Sequence, residues 1–272
     1  MPGFPQHPHR GFETVTFVRR GVVNHSDSLG AAGRYGHGDV QWMTAGKGVL
    51  HAEMFPLLDP SGPNRVELFQ IWLNLPASRK LVDPEYKMLW AERIPKHVVV
   101  DEKGAKTTVT IVAGAFDGIT PPVPPKHSWA ADPRNDVAIW MLEMAPGASV
   151  TLPAALAGTN RSLFVVAGSG LHVGGQVLGR ARLAEVVADR ALLLTAGEEA
   201  IEVLVLQGQP IDEPVVQQGP FVMNSREEIV QTIREYQRTQ FGGWPWQRDD
   251  VVHGPSRGRF ALHADGREEI PT

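Results

Sequence analysis

Four side chains near the start of the chain have the types and spacing to hold a metal ion: His7 and His9, two residues apart, and His51 and Glu53, also two residues apart. Successive side chains of a β-strand point to opposite faces, so residues two apart share a face and each pair can project into the interior of one barrel. Two such pairs on neighbouring strands would enclose one ion. Imidazole nitrogen is a borderline donor and carboxylate oxygen a hard one, a combination suited to Fe, Mn, Co, Ni, Cu or Zn rather than Ca or Mg. The set leaves coordination positions open for water or substrate. Five of the ten histidines, His7, His9, His25, His37 and His51, fall within the first 51 residues. A lone His-x-His beside Pro8 would carry little weight, and it is the second pair, in a glycine-rich setting, that makes the cluster a predicted metal site.

The elements that must position these pairs are strands. Short β-branched and aromatic runs occur at 14–18, 66–73, 107–112 and 201–206, each bounded by Gly, Pro, Asn or Asp. With 28 Gly and 22 Pro the chain has too many turn-formers for a helical protein and suits many short strands. One long helix is predicted, where Ser225 and Glu228 make a capping box and Ile229, Ile233 and Tyr236 recur on one face. Pro121, Pro122, Pro124, Pro125 and Pro133 mark an extended connector. The expected organisation is therefore a metal-binding domain over 1–117, a connector over 118–133, a second domain over 134–241 and a tail over 242–272.

The two halves are weakly alike. Phe17-Val18 leading to Gly21 can be laid over Phe164-Val165 leading to Gly168, and Thr44-Ala45-Gly46 over Thr195-Ala196-Gly197. Under these overlays His7 faces Ala154, His9 faces Leu156, His51 faces Glu202 and Glu53 faces Leu204, so the second half is expected to keep the barrel and lack the site.

Composition narrows the chemistry further. The 272 residues can bury a substantial core without staples. With 26 Lys and Arg against 30 Asp and Glu, a net charge of -4 gives no basic footprint for phosphate backbones, so no direct nucleic-acid ligand is expected. The absence of cysteine excludes disulfides, thiolate zinc sites, iron–sulfur clusters and cysteine nucleophiles, leaving nitrogen and oxygen to bind any metal. The opening MPGFPQHPHR lacks a signal-peptide pattern and no apolar run reaches membrane-spanning length, so no membrane and a cytoplasmic location are expected.

The segments HPHRGFETVTF (7–17), HSDS (25–28) and GDVQWMTAGKGVLHAE (38–53) resemble the signature of the pirin family, and EPVVQQGPFVMNS (213–225) resembles the close of its second cupin domain. The resemblance implies an all-β bicupin: two stacked, jelly-roll-like cupin barrels with a short C-terminal helix, the N-terminal barrel holding the metal through His7, His9, His51 and Glu53. Glu13 stands where many other cupins carry their glutamate ligand and is the second candidate for the fourth position. Pirins usually carry further strands ahead of the His-x-His motif, whereas here the first ligand is residue seven. That departure predicts a first domain lacking its opening strands, with an edge to be covered by upstream residues or by a partner chain.

Two functions follow from the resemblance. One is an oxygenase of the quercetin 2,3-dioxygenase type, acting on a small aromatic substrate such as a flavonol together with O2, with Glu53 as catalytic base. The other is a non-catalytic, redox-responsive metalloprotein that regulates transcription factors or a metabolic enzyme by binding a protein partner. Either way the expected cofactor is one divalent transition metal, Fe(II) first, with Mn, Co, Ni, Cu or Zn as alternatives.

Other residues weigh less. His25 and Asp27 could orient a ligand imidazole, and a polar turn between strands explains them about as well. Trp42 and Met43 are expected in the barrel core or lining an apolar pocket near the metal. His172 lies in GSGLHVGG, where the lack of a following Lys-Ser or Lys-Thr argues against a phosphate loop. His97, His127, His253 and His263 have no partner at ligand spacing and are expected to face solvent. The cluster FGGWPW, 241–246, is expected to pack the C-terminal tail.

Overall fold

The computed structural model describes all 272 residues. In chain order its strands are β1 (Gly3–His9), β2 (Phe12–Arg20), β3 (Val22–Asp27), β4 (Ala32–Gly36), β5 (Val40–Thr44), β6 (Val49–Met54), β7 (Glu67–Asn74) and β8 (Glu85–Leu89). There follow β9 (Lys96–Val100), β10 (Lys106–Ala113), β11 (Ala138–Met144), β12 (Ser149–Leu152), β13 (Asn160–Ala167), β14 (Leu171–Val173), β15 (Gln176–Leu178), β16 (Leu183–Val187), β17 (Leu192–Thr195) and β18 (Ile201–Gly208). The hairpin β19 (Val216–Gln218) and β20 (Phe221–Met223) precedes the helix α1 (Arg226–Thr239), and β21 (Phe260–Leu262) and β22 (Glu268–Glu269) come last. The chain is all-β with one short C-terminal helix, and the four runs expected as strands lie in β2, β7, β10 and β18. No helix is long and apolar enough to cross a membrane.

The chain forms two compact units, one of residues 1–92, 125–129 and 211–272, the other of 93–124 and 130–210. In the first unit one sheet has the order β1-β6-β3-β4-β21-β22 and a second the order β7-β2-β5-β8. In the other unit the sheets are β16-β13-β18-β11-β10-β9 and β12-β17-β14-β15. The chain therefore does not pass from one unit to the other at a single connector. Within the proline-rich stretch, residues 125–129 belong to the first unit, where Ser128 is buried and Arg79 Nη1 donates to its carbonyl at 3.0 Å. The tail is also part of the first unit, since β21 pairs with β4 and β22 with β21.

Strand pairing gives the internal repeat its register. β2 pairs with β5 and β7 as β13 pairs with β16 and β18, while β6 pairs with β1 and β3 as β17 pairs with β12 and β14. Phe17 meets Val40 and Phe69, and Phe164 meets Leu183 and Leu204, so the first sequence overlay places equivalent residues together. Each of β2 and β13 is followed by a glycine that no larger residue could replace: a Cβ on Gly21 (φ 74°) would stand 2.2 Å from the Arg65 carbonyl, and on Gly168 (φ 76°) 2.2 Å from that of Ala200. The second overlay is corrected. Thr44 closes β5, whose counterpart is β16, whereas Thr195 closes β17, the counterpart of β6. His51 therefore corresponds to a residue of β17 and not to Glu202 of β18. A Thr-Ala-Gly tripeptide marks a turn, and a turn alone does not fix which strands it joins.

The helix is built as its sequence dictates. Glu228 N donates to Ser225 Oγ at 3.1 Å and Ser225 N to Glu228 Oε2 at 2.9 Å, closing the capping box. Its apolar stripe packs Ile229, Ile233 and Tyr236 on Phe221 and Met223.

Candidate metal centre

His7 on β1 lies directly across from His51 on β6, and His51 lies across from Asp27 on β3, so all three share one sheet face. Two-residue alternation adds His9, Glu53 and His25 to that face, Glu53 being the cross-strand partner of His25. The ligand atoms of His7, His9 and His51 all lie within 4.8 Å of one another. Nε2 of His7 and Nε2 of His51 are 3.0 Å apart, near the separation of about 2.9 Å for two imidazole donors bound to one ion at right angles.

The protonation states suit a cation. His7 Nδ1 donates to the Pro5 carbonyl at 2.8 Å, which puts the proton on Nδ1 and leaves Nε2 with a free lone pair. Burial pushes His9 from 6.5 down to about 3, the neighbouring His7 adds to the shift, and the Pro220 carbonyl opposes it weakly. Neither ring nitrogen of His9 makes a well-aligned hydrogen bond, and Nδ1 of His51 is likewise buried without one. His51 is lowered well below the usual histidine range, chiefly by burial and then by His9, His7 and His25. The orphaned, buried nitrogens of His9 and His51, with Nε2 of His7 beside them, form a donor set that a borderline transition ion would complete.

Glu53 lies outside the group of atoms within 4.8 Å. Its Oε1 accepts from Thr16 Oγ1 at 3.1 Å and is 3.2 Å from the Tyr35 hydroxyl, and its Oε2 accepts from Gln70 Nε2 at 2.5 Å. A carboxylate offers about four acceptor sites, so three donors leave one site open, on Oε2. Glu13 is placed differently. It is buried on β2 with Val15 and Phe17, on the face opposite Thr14 and Thr16, and it accepts from Thr44 Oγ1 at 2.7 Å and from Ser128 Oγ at 2.6 Å. Gly11 (φ 85°) separates β1 from β2, so counting alternation from His9 to Glu13 does not carry across.

His25 and Asp27 are in β3 and not in a turn. Both are buried, His25 Nε2 stands 3.3 Å from Asp27 Oδ2, and the His25 ring stacks on Tyr86 with centroids 5.1 Å apart. Trp42 and Met43 are core residues. The expectation of solvent-facing histidines is corrected at two positions: His253 Nε2 donates to the His25 carbonyl at 2.9 Å, and His263 Nε2 lies 3.0 Å from Glu269 Oε1 with its side chain 11% exposed. His97 bonds Asp117, and His172 stays exposed on the β14–β15 hairpin. In the cluster 241–246, Phe241 packs on Phe221 and Tyr236, and Trp246 donates to the Asp27 carbonyl.

Sequence reasoning missed the residues around the histidines. Gln70 and Trp72 on β7 lie across from Thr16 and Thr14, so all four share a face, and Trp72 is 42% exposed with its ring 5.6 Å from that of His9. Phe4, 54% exposed, stands 6.4 Å from the His7 ring. The signal was the two-residue spacing of Gln70 and Trp72, which becomes informative only once the β2–β7 register is known.

Comparison with known proteins places these residues in a family context. Residues 1–73, which include all three histidines and Glu53, match the family model described as Pirin, and residues 139–242 match that of the Pirin C-terminal cupin domain. A Pseudomonas aeruginosa protein named "Putative quercetin 2,3-dioxygenase" is 38% identical over 239 residues, 88% of this chain and 79% of that one. A "Pirin-like protein" of Solanum lycopersicum is 36% identical over 244 residues, 86% of this chain and 75% of that one. Among solved structures, a quercetin 2,3-dioxygenase from Acinetobacter baumannii superposes with a TM-score of 0.75 at 34% identity, covering 89% of this chain and 80% of its own.

Proposed function

The chain belongs to the pirin family, and on that premise we propose that its first unit is a metal-dependent dioxygenase of the quercetin 2,3-dioxygenase type, cleaving a flavonol with O2. The observation that carries this reading is the convergence of three imidazoles, His7, His9 and His51, beside the exposed rings of Phe4 and Trp72. Relatives that bear the quercetin dioxygenase name support it.

In this reading His7, His9 and His51 hold one divalent ion, Fe(II) in the cell, with Glu53 as fourth ligand and base. Such an ion supplies Lewis acidity and a path for electrons between substrate and O2. The remaining work falls to the chain. Trp72 and Phe4 offer ring surface to a planar aromatic substrate. Glu53 takes the proton of the flavonol hydroxyl, giving up one of the hydrogen bonds from Thr16, Tyr35 and Gln70 that otherwise hold the carboxylate in place. The Pro5 carbonyl keeps the His7 proton on Nδ1, away from the reacting side.

The test supplies purified protein with Fe(II) and quercetin and follows O2 uptake and ring-cleavage product together. Wild type is expected to give both. Glu53→Gln is expected to lower cleavage by about 100-fold or more and to weaken ion binding, since an amide is a poorer anionic donor and cannot accept the proton. Glu13→Gln is expected to keep the ion and the activity. Ion-loaded protein that leaves quercetin intact would remove the dioxygenase reading, and ion loss in Glu13→Gln with retention in Glu53→Gln would move the fourth ligand to β2.

A further inference from the structure

Residues 243–272 follow the last residue matched by either family model, yet they reach both neighbours of the strand that carries His51 and Glu53. β6 lies between β1 and β3 in the sheet. On one side, the Asp249 carbonyl accepts from the Gln6 amide at 2.8 Å, at the point where the β1–β6 ladder shifts register and immediately before His7. On the other side, Trp246 Nε1 donates to the Asp27 carbonyl at 2.8 Å and His253 Nε2 to the His25 carbonyl at 2.9 Å. Asp27 and His25 are the cross-strand partners of His51 and Glu53.

The tail is anchored where it does this. Arg34 of β4 is buried, its Nε donates to Asn24 Oδ1 of β3 at 2.9 Å, and its terminal nitrogens donate to the carbonyls of His253 at 2.8 Å, Gly254 at 3.1 Å and Arg257. Five donors in a rigid fork suit a cage of carbonyls from a looped segment. Beyond the loop, Phe260 pairs with Arg34 itself as β21 joins β4.

We propose that the C-terminal segment 246–262 is a positioning element of the metal centre, with Trp246 and His253 fixing β3, and Asp249 fixing β1, so that His7 and His51 are held at ligand distance. The inference rests on the metal-site reading above. It assigns the tail no contact with ion or substrate: it acts through the backbone of the strands on either side of β6. Ligand imidazoles bind well only when their orientation is set in advance, and outer partners of a metal site typically change affinity by about 10- to 100-fold when removed.

Cobalt(II) is the probe, because its visible bands report ligand geometry and chelator competition gives its affinity. Trp246→Phe keeps an aromatic ring and removes one donor, and the double variant with His253→Phe removes both. Arg190→Ala, whose exposed ion pair with Asp189 lies in the other unit, is the control. The double variant is expected to bind Co(II) about tenfold or more weakly with shifted bands, Trp246→Phe to fall between it and wild type, and the control to match wild type. A double variant that melts earlier but binds Co(II) within about twofold of wild type, with the same bands at a temperature where it is folded, would overturn the proposal by leaving the tail a purely structural role. Should the double variant fail to fold, wild-type hydrogen exchange decides: coupling is reciprocal, so Co(II) is expected to slow exchange across 244–262, and unchanged exchange there counts against the proposal. Wild type that binds no Co(II) at all defeats the metal-site reading instead.

Discussion

Glu13 has a carboxyl buried among hydroxyls with no cation to pair with. Burial pushes it from 4.5 up to about 7, against hydrogen bonds from Ser128 and Thr44. Between these two values the folded protein keeps a proton that the unfolded chain has released. The stability Glu13 contributes is therefore complete below about 4.5 and is lost as pH rises through about 7. A shift of that size corresponds to on the order of 3 kcal/mol. Glu13→Gln, which cannot ionise, is expected to be more stable than wild type at about pH 8 by up to that amount and to differ little at about pH 5, measured as urea midpoints. Equal pH dependence in the two proteins would mean that another group carries it. The same residue shows what was legible at this scale. The two-residue spacings of His7 with His9 and of His51 with Glu53 were visible because strand parity needs no tertiary information. The face on which Glu13 lies was not, because Gly11 breaks the strand between it and His9.

At the scale of elements, the chain turns a corner between β1 and β2, and one lysine secures it. Lys80 is buried, and its Nζ donates to the Gly11 carbonyl at 2.9 Å, the Val222 carbonyl at 3.0 Å and Asn74 Oδ1 at 2.7 Å. Burial lowers its pKa to about 8, with Glu213 and Glu228 opposing. Lys80→Met keeps most of the packing volume and orphans three acceptors, so a loss of about 3 kcal/mol in urea unfolding is expected. Gly11→Ala is expected to cost a comparable amount, since a Cβ there would stand 2.0 Å from the Val222 carbonyl at a φ of 85°. A neutral outcome for both would mean that the corner is held elsewhere. The strands and the capped helix were legible from pattern and cap chemistry, whereas Lys80 was not. A lysine inside a polar stretch is indistinguishable in sequence from a solvated one until the carbonyls it satisfies are in place.

For the molecule as a whole, the repeated topology sets the histidine cluster of the first unit against the matching positions of the other. In the first unit the three residues that meet across β1, β6 and β3 are His7, His51 and Asp27. In the other, the corresponding meeting across β12, β17 and β14 is Val150, Leu194 and Val173, all buried in that unit's apolar core. Sequence comparison alone aligned His51 with the wrong strand, because turn tripeptides repeat more readily than strand pairings. An ion placed among aliphatic side chains would lose its hydration without gaining donors, at a cost of several kcal/mol. Elemental analysis after metal loading is therefore expected to find one equivalent per chain. His9→Ala combined with His51→Ala is expected to bring the value close to zero, while His172→Ala, on an exposed hairpin of the other unit, leaves it at one. Two equivalents in wild type, or one retained after both imidazoles are gone, would show that the ion is held by other residues. The distinction rests on three aliphatic side chains standing where the first unit places two histidines and an aspartate.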